Sequence, residues 1–322
     1  KLIDSKVGLH STLELSTIKE KFKEFEKSLG FKNELKWSNI ILFGIYHIFG
    51  LWWCCYYAFP VKILTILFAC VMYTASGFGV TGGAHRLWTH RAYKVNLPCK
   101  ILMLTLFSTA GQNSLQDWVR DHRVHHKYSD TEADPHNANR GLFFSHIGWL
   151  LTKKNEHVIK RGKDIDMSDI YSDPVLNCHF NKLKLLFCFF LPTMVGVWCW
   201  DENWRCAVAW QCFIRYLGVF HSELTVNSLA HAFGYKPYNK DILPSENRFV
   251  STVTLGEGWH NYHHAFPFDY KAEEHFDIFN LCTKFIKGFE YIGWATDLKE
   301  ATPEMIKNIS KRIGDGTYET TY

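Results

Sequence analysis

The chain has 322 residues, of which 47% are hydrophobic, 16% are aromatic and 21% are charged, and its formal net charge is +4. This apolar content excludes a disordered chain, and nine prolines and 21 glycines without a triplet period exclude a collagen-like or proline-rich spacer. The weak positive charge argues against a nucleic-acid partner, because duplex binding needs a concentrated basic face.

Two long uncharged segments come first along the chain and predict membrane-spanning helices. Residues 40–59 and 63–84 contain no charged side chain, and a spanning helix needs about 20 mostly apolar residues. The three residues from Pro60 to Lys62 leave room only for a tight turn. We therefore expect the first two helices to form an antiparallel pair.

Two later apolar segments, 185–200 and 207–226, predict a third and a fourth span. The last of these contains Arg215 and Glu223. Charged groups at membrane depth usually face the interior of the helix bundle or a cavity. The alternative is that both lie near the ends of a shifted span and extend to the membrane surface. The shorter segment 97–109 fits an interfacial or re-entrant helix.

The basic residues of the flanks predict the orientation. Lysines are frequent before residue 40, whereas the connections 60–62 and 201–205 carry little positive charge. Basic flanks stay in the cytosol, so both termini are expected there. The predicted fold class is an all-α integral membrane protein with one domain over residues 1–322. Its four transmembrane helices (about 40–59, 63–84, 185–200 and 207–226) carry a cytosolic helical cap formed by 85–184 and 227–322.

The 17 histidines are concentrated in clusters beyond the predicted spans. The spacing HxxHH occurs twice, and on a helix positions i, i+3 and i+4 share one face. Each triad is therefore expected to converge, and the same holds for a pair at i and i+4. The groups are His122, His125 and His126; His260, His263 and His264; Asn227 and His231; and His85 with His90.

This pattern predicts a metal centre in the cytosolic cap. Two triads with further single ligands exceed what one ion can use, so we expect two ions. Imidazole suits zinc, copper, iron and nickel, and the ligand type alone does not identify the metal. Neutral imidazoles beside a bilayer fit iron and dioxygen chemistry on a lipid. His85 and His90 lie about 140° apart on an ideal helix, so they can share a site only from two sides or if the helix ends between them.

Other titratable residues have two interpretations at this stage. Single histidines in apolar segments, His47 and His221, are expected to be interior structural residues. Acids near the clusters can orient the imidazoles from behind or can be solvated loop residues. These acids are Asp117, Asp121, Asp130, Glu132, Asp134, Glu257 and Asp269.

Four stretches resemble the membrane fatty acid desaturases, and specifically animal, insect-like acyl-CoA desaturases of the stearoyl-CoA Δ9 type. They are GAHRLWTH at 83–90, DWVRDHRVHH at 117–126, ADPHN at 133–137 and GEGWHNYHH at 256–264. The likeness runs from about Trp37 to Gly316. It implies a cap that holds a di-iron centre above four spanning helices.

The resemblance also implies roles for particular residues. The implied metal ligands are His85, His90, His122, His125, His126, His231, His260, His263 and His264, with Asn227 reaching one metal through water. The implied acyl-CoA contacts are Asn39, Gln112, Asn113, Trp118, Arg120, Asp121, Lys153 and Lys154. Tyr73 and Gly77 match positions at the far end of the acyl tunnel.

The function that the resemblance implies is oxygen-dependent insertion of a double bond, Δ9 and cis, into a saturated long-chain acyl-CoA. The implied cofactors are two iron ions, which zinc can replace in recombinant protein, with O2 as co-substrate. The implied electron donors are cytochrome b5 and its NADH reductase. The implied location is the endoplasmic reticulum membrane.

One departure from the family pattern changes the expected substrate channel. Glu223 and Leu224 stand where the family commonly has Thr and Trp, so double-bond position and chain-length preference stay open. Three alternatives also remain: a di-iron lipid hydroxylase, a non-catalytic His-rich membrane metal-binding protein, and an inactive relative that only binds lipid.

Overall fold

The computed structural model describes residues 20–26, 28, 32–177, 183–274 and 277–318, most of which are helical. The longer helices are α1 (Trp37–Tyr57), α2 (Ile63–Thr89), α3 (Leu97–Thr109), α4 (Leu115–Tyr128), α5 (Glu156–Lys163), α6 (Leu186–Trp200), α7 (Trp204–Val208, Ala209–Arg215 and Tyr216–Ala232 in succession), α8 (Arg248–Val253), α9 (His260–Ala265), α10 (Leu281–Tyr291) and α11 (Pro303–Ile313). Short helical turns are Ala138–Arg140, Phe144–Gly148, Trp149–Leu151 and Ser168–Tyr171. Strands β1 (Lys94–Val95) and β2 (Ala295–Thr296) pair antiparallel.

Helices α1 and α2 are long and apolar enough to cross a membrane. The outward face of α1 consists of exposed large apolar side chains, namely Ile41, Leu42, Ile45, Ile48, Leu51, Trp52 and Tyr56. Soluble monomers rarely expose so large a continuous apolar surface. This face is suited to lipid. Helices α3 and α6 are apolar but shorter.

The turn between α1 and α2 lies beside the turn between α6 and α7. The Lys62 ammonium donates to the carbonyl of Trp200 at 2.8 Å, and the Lys62 backbone N–H donates to Glu202 at 2.9 Å. These two turns therefore occupy one end of the bundle. The histidines at the ends of α2 and α7 lie toward the other end, because each helix runs away from these turns.

Helices α2 and α3 are packed backbone to backbone. A Cβ atom added to Gly79 would lie 2.3 Å from the carbonyl carbon of Leu106, so this position accepts only glycine at the observed separation. Met103 and Phe107 of α3 are buried in the same core. Packing against α2 thus fixes where α3 ends and where α4 begins.

Arg215 of α7 faces the protein interior rather than the membrane surface. Its side chain is 2% exposed and donates to the carbonyl of Thr109 at 2.9 Å. It also donates to the Cys188 carbonyl. Glu223, two turns further along α7, likewise faces inward and contacts Gln112. The alternative in which both charges extend to the surface is wrong.

Candidate metal centre

The end of α2 brings His85 and His90 to one side of the helix. From Gly79 to Thr89 the helix is widened to the π form, and the His90 N–H donates to the His85 carbonyl at 3.1 Å, five residues back. This i to i−5 bond places residues five apart on neighbouring positions. The ring centroids lie 4.9 Å apart. The separation of 140° expected for an ideal helix is therefore wrong here.

Helix α4 supplies three histidines and is capped at its N-terminus by Ser114, whose side chain accepts the Asp117 N–H at 3.1 Å. His122 and His126 point to the same side as His85 and His90, whereas His125 points away from them. The other two elements are α7, which supplies His231, and α9, which supplies His260, His263 and His264. All of these side chains meet in the cap.

The histidines form two groups, each able to hold a metal ion, with ligand nitrogens within 4.8 Å of one another. The first group is His85, His90, His122, His126 and His263, and the second is His125, His231, His260 and His264. Each HxxHH triad therefore divides between the two groups instead of converging on one. The rings of His126 and His264, one from each group, stack at 4.2 Å, so the two groups are adjacent.

Within each group the ring nitrogens face one another closely. In the first group His263 Nε2 lies 2.9 Å from His85 Nε2 and 3.0 Å from His126 Nε2. In the second group His260 Nε2 lies 3.1 Å from His231 Nε2 and 3.2 Å from His264 Nε2. Such convergence of nitrogens is the arrangement that a cation between them would stabilise.

Carboxylates contact the Nδ1 atoms of three of these histidines and leave the Nε2 atoms free to bind a metal. Glu257 lies 2.8 Å from His85 Nδ1, and Asp134 lies 2.9 Å from His125 Nδ1. Asp130 contacts His231 Nδ1 at 3.1 Å. A neutral imidazole that donates its Nδ1–H to a carboxylate presents a lone pair on Nε2. These acids therefore orient the rings, as one of the two interpretations predicts.

Two further nitrogens of the first group have no protein partner. His90 Nε2 and His122 Nε2 are buried and make no hydrogen bond within the described part of the chain. A buried polar atom without a partner is costly. A bound metal would satisfy both, so the residues present fit a metal centre.

Burial also favours the neutral, ligating form of most of these histidines. Loss of solvent lowers the pKa of His90, His122, His126, His260, His263 and His264 well below the usual value. For His125, burial opposes protonation but Asp134 outweighs it and raises the pKa.

A third cluster of possible ligands, His125, Asp134 and His136, shares His125 with the second group. Asp134 accepts the backbone N–H groups of Asp130 at 2.7 Å and of His136 at 3.1 Å. Together with the contact to His125, these hydrogen bonds indicate that Asp134 serves to orient the His125 ring. His136, which the sequence pattern left isolated, packs on His125 with ring centroids 4.3 Å apart.

A cavity of about 170 Å³ adjoins both groups. Its wall includes His85, His122 and Asn227 on the side of the metal centre, and Phe43 and Phe220 toward the helix bundle. The space thus connects the histidine groups with apolar side chains of α1 and α7. This geometry suits an apolar substrate.

Four of the residues predicted to contact substrate line this cavity, namely Gln112, Asn113, Trp118 and Asp121. Asn39 instead donates its amide to the Leu150 carbonyl at 2.7 Å.

The predicted cations lie near the same region and are paired with acids. Arg120 contacts Asp117 at 2.8 Å, Lys153 contacts Glu34 at 2.6 Å, and Lys154 contacts Asp121.

The two residues expected at the far end of the tunnel, Tyr73 and Gly77, lie on α2 and face the segment around α8. The Tyr73 hydroxyl donates to the Val253 carbonyl at 2.6 Å. A Cβ on Gly77 would lie 2.8 Å from Leu255 Cδ1. Both positions therefore pack α2 against the segment around α8.

A chain of hydrogen-bonded histidines lies beside this centre, and the sequence pattern did not link its members. His47 Nδ1 donates to the Phe43 carbonyl at 2.7 Å, and His47 Nε2 lies 3.0 Å from His221 Nε2. His221 Nδ1 lies 3.1 Å from His146 Nε2, and His146 Nδ1 lies 2.9 Å from Ser228 Oγ. The chain thus joins α1, α7 and the cap. Its members are far apart in sequence, so spacing alone could not reveal it.

Comparison with known proteins adds independent information. The family model for fatty acid desaturases matches residues 61–272. The chain is 50% identical to the acyl-CoA Delta(11) desaturase of Spodoptera littoralis over 292 residues, which are 89% of this chain and 86% of that protein. It is 45% identical to the acyl-CoA Delta-9 desaturase of Acheta domesticus over 294 residues (90% and 82%). It is 43% identical to stearoyl-CoA desaturase 2 of Mus musculus over 289 residues (89% and 80%).

Proposed function

The chain belongs to the fatty acid desaturase family, and we propose that it uses dioxygen and two histidine-held iron ions to desaturate long-chain acyl-CoA. It is an oxidoreductase of the acyl-CoA desaturase type. The observation that carries the proposal is the pair of adjacent histidine groups that opens onto a cavity with apolar walls.

We assign one ion to each histidine group, with Asn227 acting through water. Iron, when bound, supplies the oxygen activation needed to remove hydrogen from an unactivated methylene. The protein's part is to hold geometry: Glu257, Asp134 and Asp130 accept the Nδ1–H groups and fix the ring orientations. The cavity wall holds the acyl chain beside the two groups and excludes water.

The coenzyme A moiety is assigned to cationic residues near the cavity, two of which, Arg120 and Lys154, contact the lining residue Asp121. Arg120, Lys153 and Lys154 offer the donors that phosphates require. Each is paired with a carboxylate in the structure, so binding would exchange carboxylate partners for phosphate oxygens. Anchoring of this end sets which carbon of the chain reaches the histidine groups.

We propose a cis double bond at Δ9 as the product. A second candidate is Δ11, because one relative with that name is 50% identical to this chain. The two differ only in how far the acyl chain enters the cavity before it reaches the centre. Direct location of the double bond decides between them.

We further propose a single domain over residues 1–322 with four spans, adding residues 185–200 and 207–226 to α1 and α2. Support comes from the contact of Lys62 with Trp200, which places the two interhelical turns at one end of the bundle. With both termini and the cap in the cytosol, the proposed location is the endoplasmic reticulum membrane.

The proposed electron source is cytochrome b5 with its NADH reductase. Dioxygen accepts four electrons on reduction to water, and loss of two hydrogens from the substrate supplies only two. An external donor must therefore provide the others. The net positive charge of the chain suits docking of an acidic electron carrier.

The decisive experiment expresses the full chain in yeast that lacks its own desaturase and locates new double bonds by mass spectrometry. Restored growth with a Δ9 or Δ11 monoene is the expected result. His122→Ala and His264→Ala, one from each group, should abolish the product, whereas His157→Ala, an exposed histidine of α5, should not.

Two other outcomes would overturn the proposal. A hydroxy acid as the main product would make the protein a hydroxylase. Absence of oxygen consumption when acyl-CoA is added to iron-loaded protein with a working electron donor would indicate a non-catalytic metal-binding protein.

A further inference from the structure

Glu223 lines the cavity and has one carboxyl oxygen without a hydrogen-bond partner among the described residues. Its Oε2 accepts the side-chain amide of Gln112, and both residues line the cavity. Its Oε1 is buried and has no hydrogen-bond partner within the described residues. One half of the carboxyl group is thus satisfied by the protein, and the other half is not.

The cavity has several apolar or aromatic side chains in its wall. They include Phe43, Val80, Tyr216, Phe220 and Leu224. In the described part of the chain no lysine, arginine or histidine forms an ion pair with Glu223. A buried polar atom is normally paired, because leaving it unpaired forfeits its hydration. The missing partner is therefore expected to arrive with whatever fills the cavity.

We propose that the acyl chain bound here carries a hydroxyl group that pairs with Glu223, so that the preferred substrate is a hydroxylated long-chain acyl-CoA. This inference rests on the proposed function and names its substrate class. A hydroxyl group both donates and accepts, so it pairs with this carboxyl group whether or not the carboxyl is protonated. An ether, epoxide or ketone oxygen only accepts hydrogen bonds, so it could not form one with an ionised carboxylate, which also only accepts.

The helix geometry limits where on the chain this hydroxyl lies. Glu223, Asn227 and His231 follow one another at intervals of four residues on α7, and each interval advances about 6 Å along a helix axis. Position 223 thus lies two turns, about 12 Å along the helix axis, before His231 of the second histidine group. Because Glu223 lines the same cavity as His85 and His122 of the first group, the hydroxyl belongs to the part of the acyl chain that lies inside this cavity.

A site that pairs with a substrate hydroxyl discriminates strongly against the analogue without it, because binding of that analogue leaves the buried group unpaired. The test uses the full-length, metal-loaded protein in detergent or nanodiscs, with stearoyl-CoA and 12-hydroxystearoyl-CoA as probes. Dissociation constants are measured by competition with a fluorescent acyl-CoA, and turnover is measured separately.

The wild type should bind and convert the hydroxylated probe at least about tenfold better than stearoyl-CoA. Glu223→Leu should remove or reverse this preference, mainly by better handling of stearoyl-CoA, whereas Glu223→Gln should retain part of it. Glu290→Gln, a change on the exposed face of α10, is the matched control and should behave as the wild type.

The outcomes separate this inference from the proposed function. Turnover of stearoyl-CoA with equal affinity for both probes, unaffected by Glu223→Leu, overturns the inference alone, since water alone would then pair the oxygen. A binding preference that follows Glu223 without any turnover of either probe supports the inference and removes the catalytic assignment.

Discussion

The Arg86 guanidinium donates to Glu257 Oε1 at 2.8 Å, and both side chains are buried. The other oxygen of Glu257 lies 2.8 Å from His85 Nδ1, so the carboxylate links a buried cation to a predicted metal ligand. Arg86 also donates to the carbonyls of Tyr270 and Lys271, each at 2.8 Å. This network attaches the end of α2 to the segment that follows α9.

Removal of the charge of Glu257 should both destabilise the protein and weaken metal binding. Glu257→Gln leaves Arg86 without its buried counter-charge, which typically costs about 3–5 kcal/mol. It also loosens the orientation of His85, for which a 10- to 100-fold loss of metal affinity is typical. Chemical unfolding and chelator competition measure the two effects. Glu304→Gln, at an exposed position of α11, is the control, and unchanged metal affinity in Glu257→Gln would contradict the assignment.

Metal stoichiometry should follow the two histidine groups. The purified chain is expected to bind two ions, and removal of metal by a chelator should lower the thermal midpoint, because binding to the folded state alone stabilises it. His122→Ala is expected to weaken binding in the first group and His264→Ala in the second. Elemental analysis of each variant checks this. A single ion per chain in the wild type would be incompatible with two sites.

The close contact of α2 with α3 should make Gly79 intolerant of any side chain. Gly79→Ala places a methyl group 2.3 Å from the Leu106 backbone, and overpacking of this kind costs about 1–3 kcal/mol or more. Gly44→Ala is the matched control, since a Cβ at Gly44 meets no atom within 4 Å. Yield and thermal midpoint in detergent should fall for the first variant only; equal behaviour would show that the two helices are not so tightly packed.

Stability of the cap should decline in acid through Asp169. Burial opposes its ionisation, but hydrogen bonds from Arg123 and Arg91 outweigh this effect and lower the pKa from 3.8 to about 2. Since the folded-state pKa is the lower one, the stabilisation is present above about pH 3.8 and is lost as the pH falls toward 2. Asp169→Asn should flatten this part of the stability profile measured by unfolding. A profile identical to that of the wild type would exclude this contribution.

Local spacing correctly predicted that these histidines cluster on their helices, but it did not predict that they divide between two sites. The HxxHH pattern correctly indicated that α4 and α9 each present three histidines in the cap. It could not show that His125 turns toward His260 and His264 while its neighbours turn toward His85, because tertiary packing decides that. His85 and His90 share one group although an ideal helix would separate them by about 140°, because the π-helical end of α2 changes the angular step per residue.

The orienting acids were predictable only as candidates. Asp130, Asp134 and Glu257 contact histidines, whereas Asp117 contacts Arg120 and Asp269 accepts from the Tyr262 hydroxyl at 2.7 Å. All five acids lie similarly close in sequence to the histidine clusters. Only the fold separates a carboxylate behind a ligand from one that pairs with a neighbouring side chain.

The chain from His47 through His221 and His146 to Ser228 has fewer hydrogen atoms than hydrogen-bond contacts. It contains five contacts, counting the carbonyl groups at its two ends. Three neutral imidazoles and one hydroxyl supply only four hydrogens. One contact is therefore left without a hydrogen, because burial lowers the pKa of His146 and opposes the extra proton that would complete it. The Ser228 hydroxyl can donate either to His146 or to the Leu224 carbonyl, so its rotation moves the missing hydrogen from one contact to the other while all the heavy atoms stay where they are.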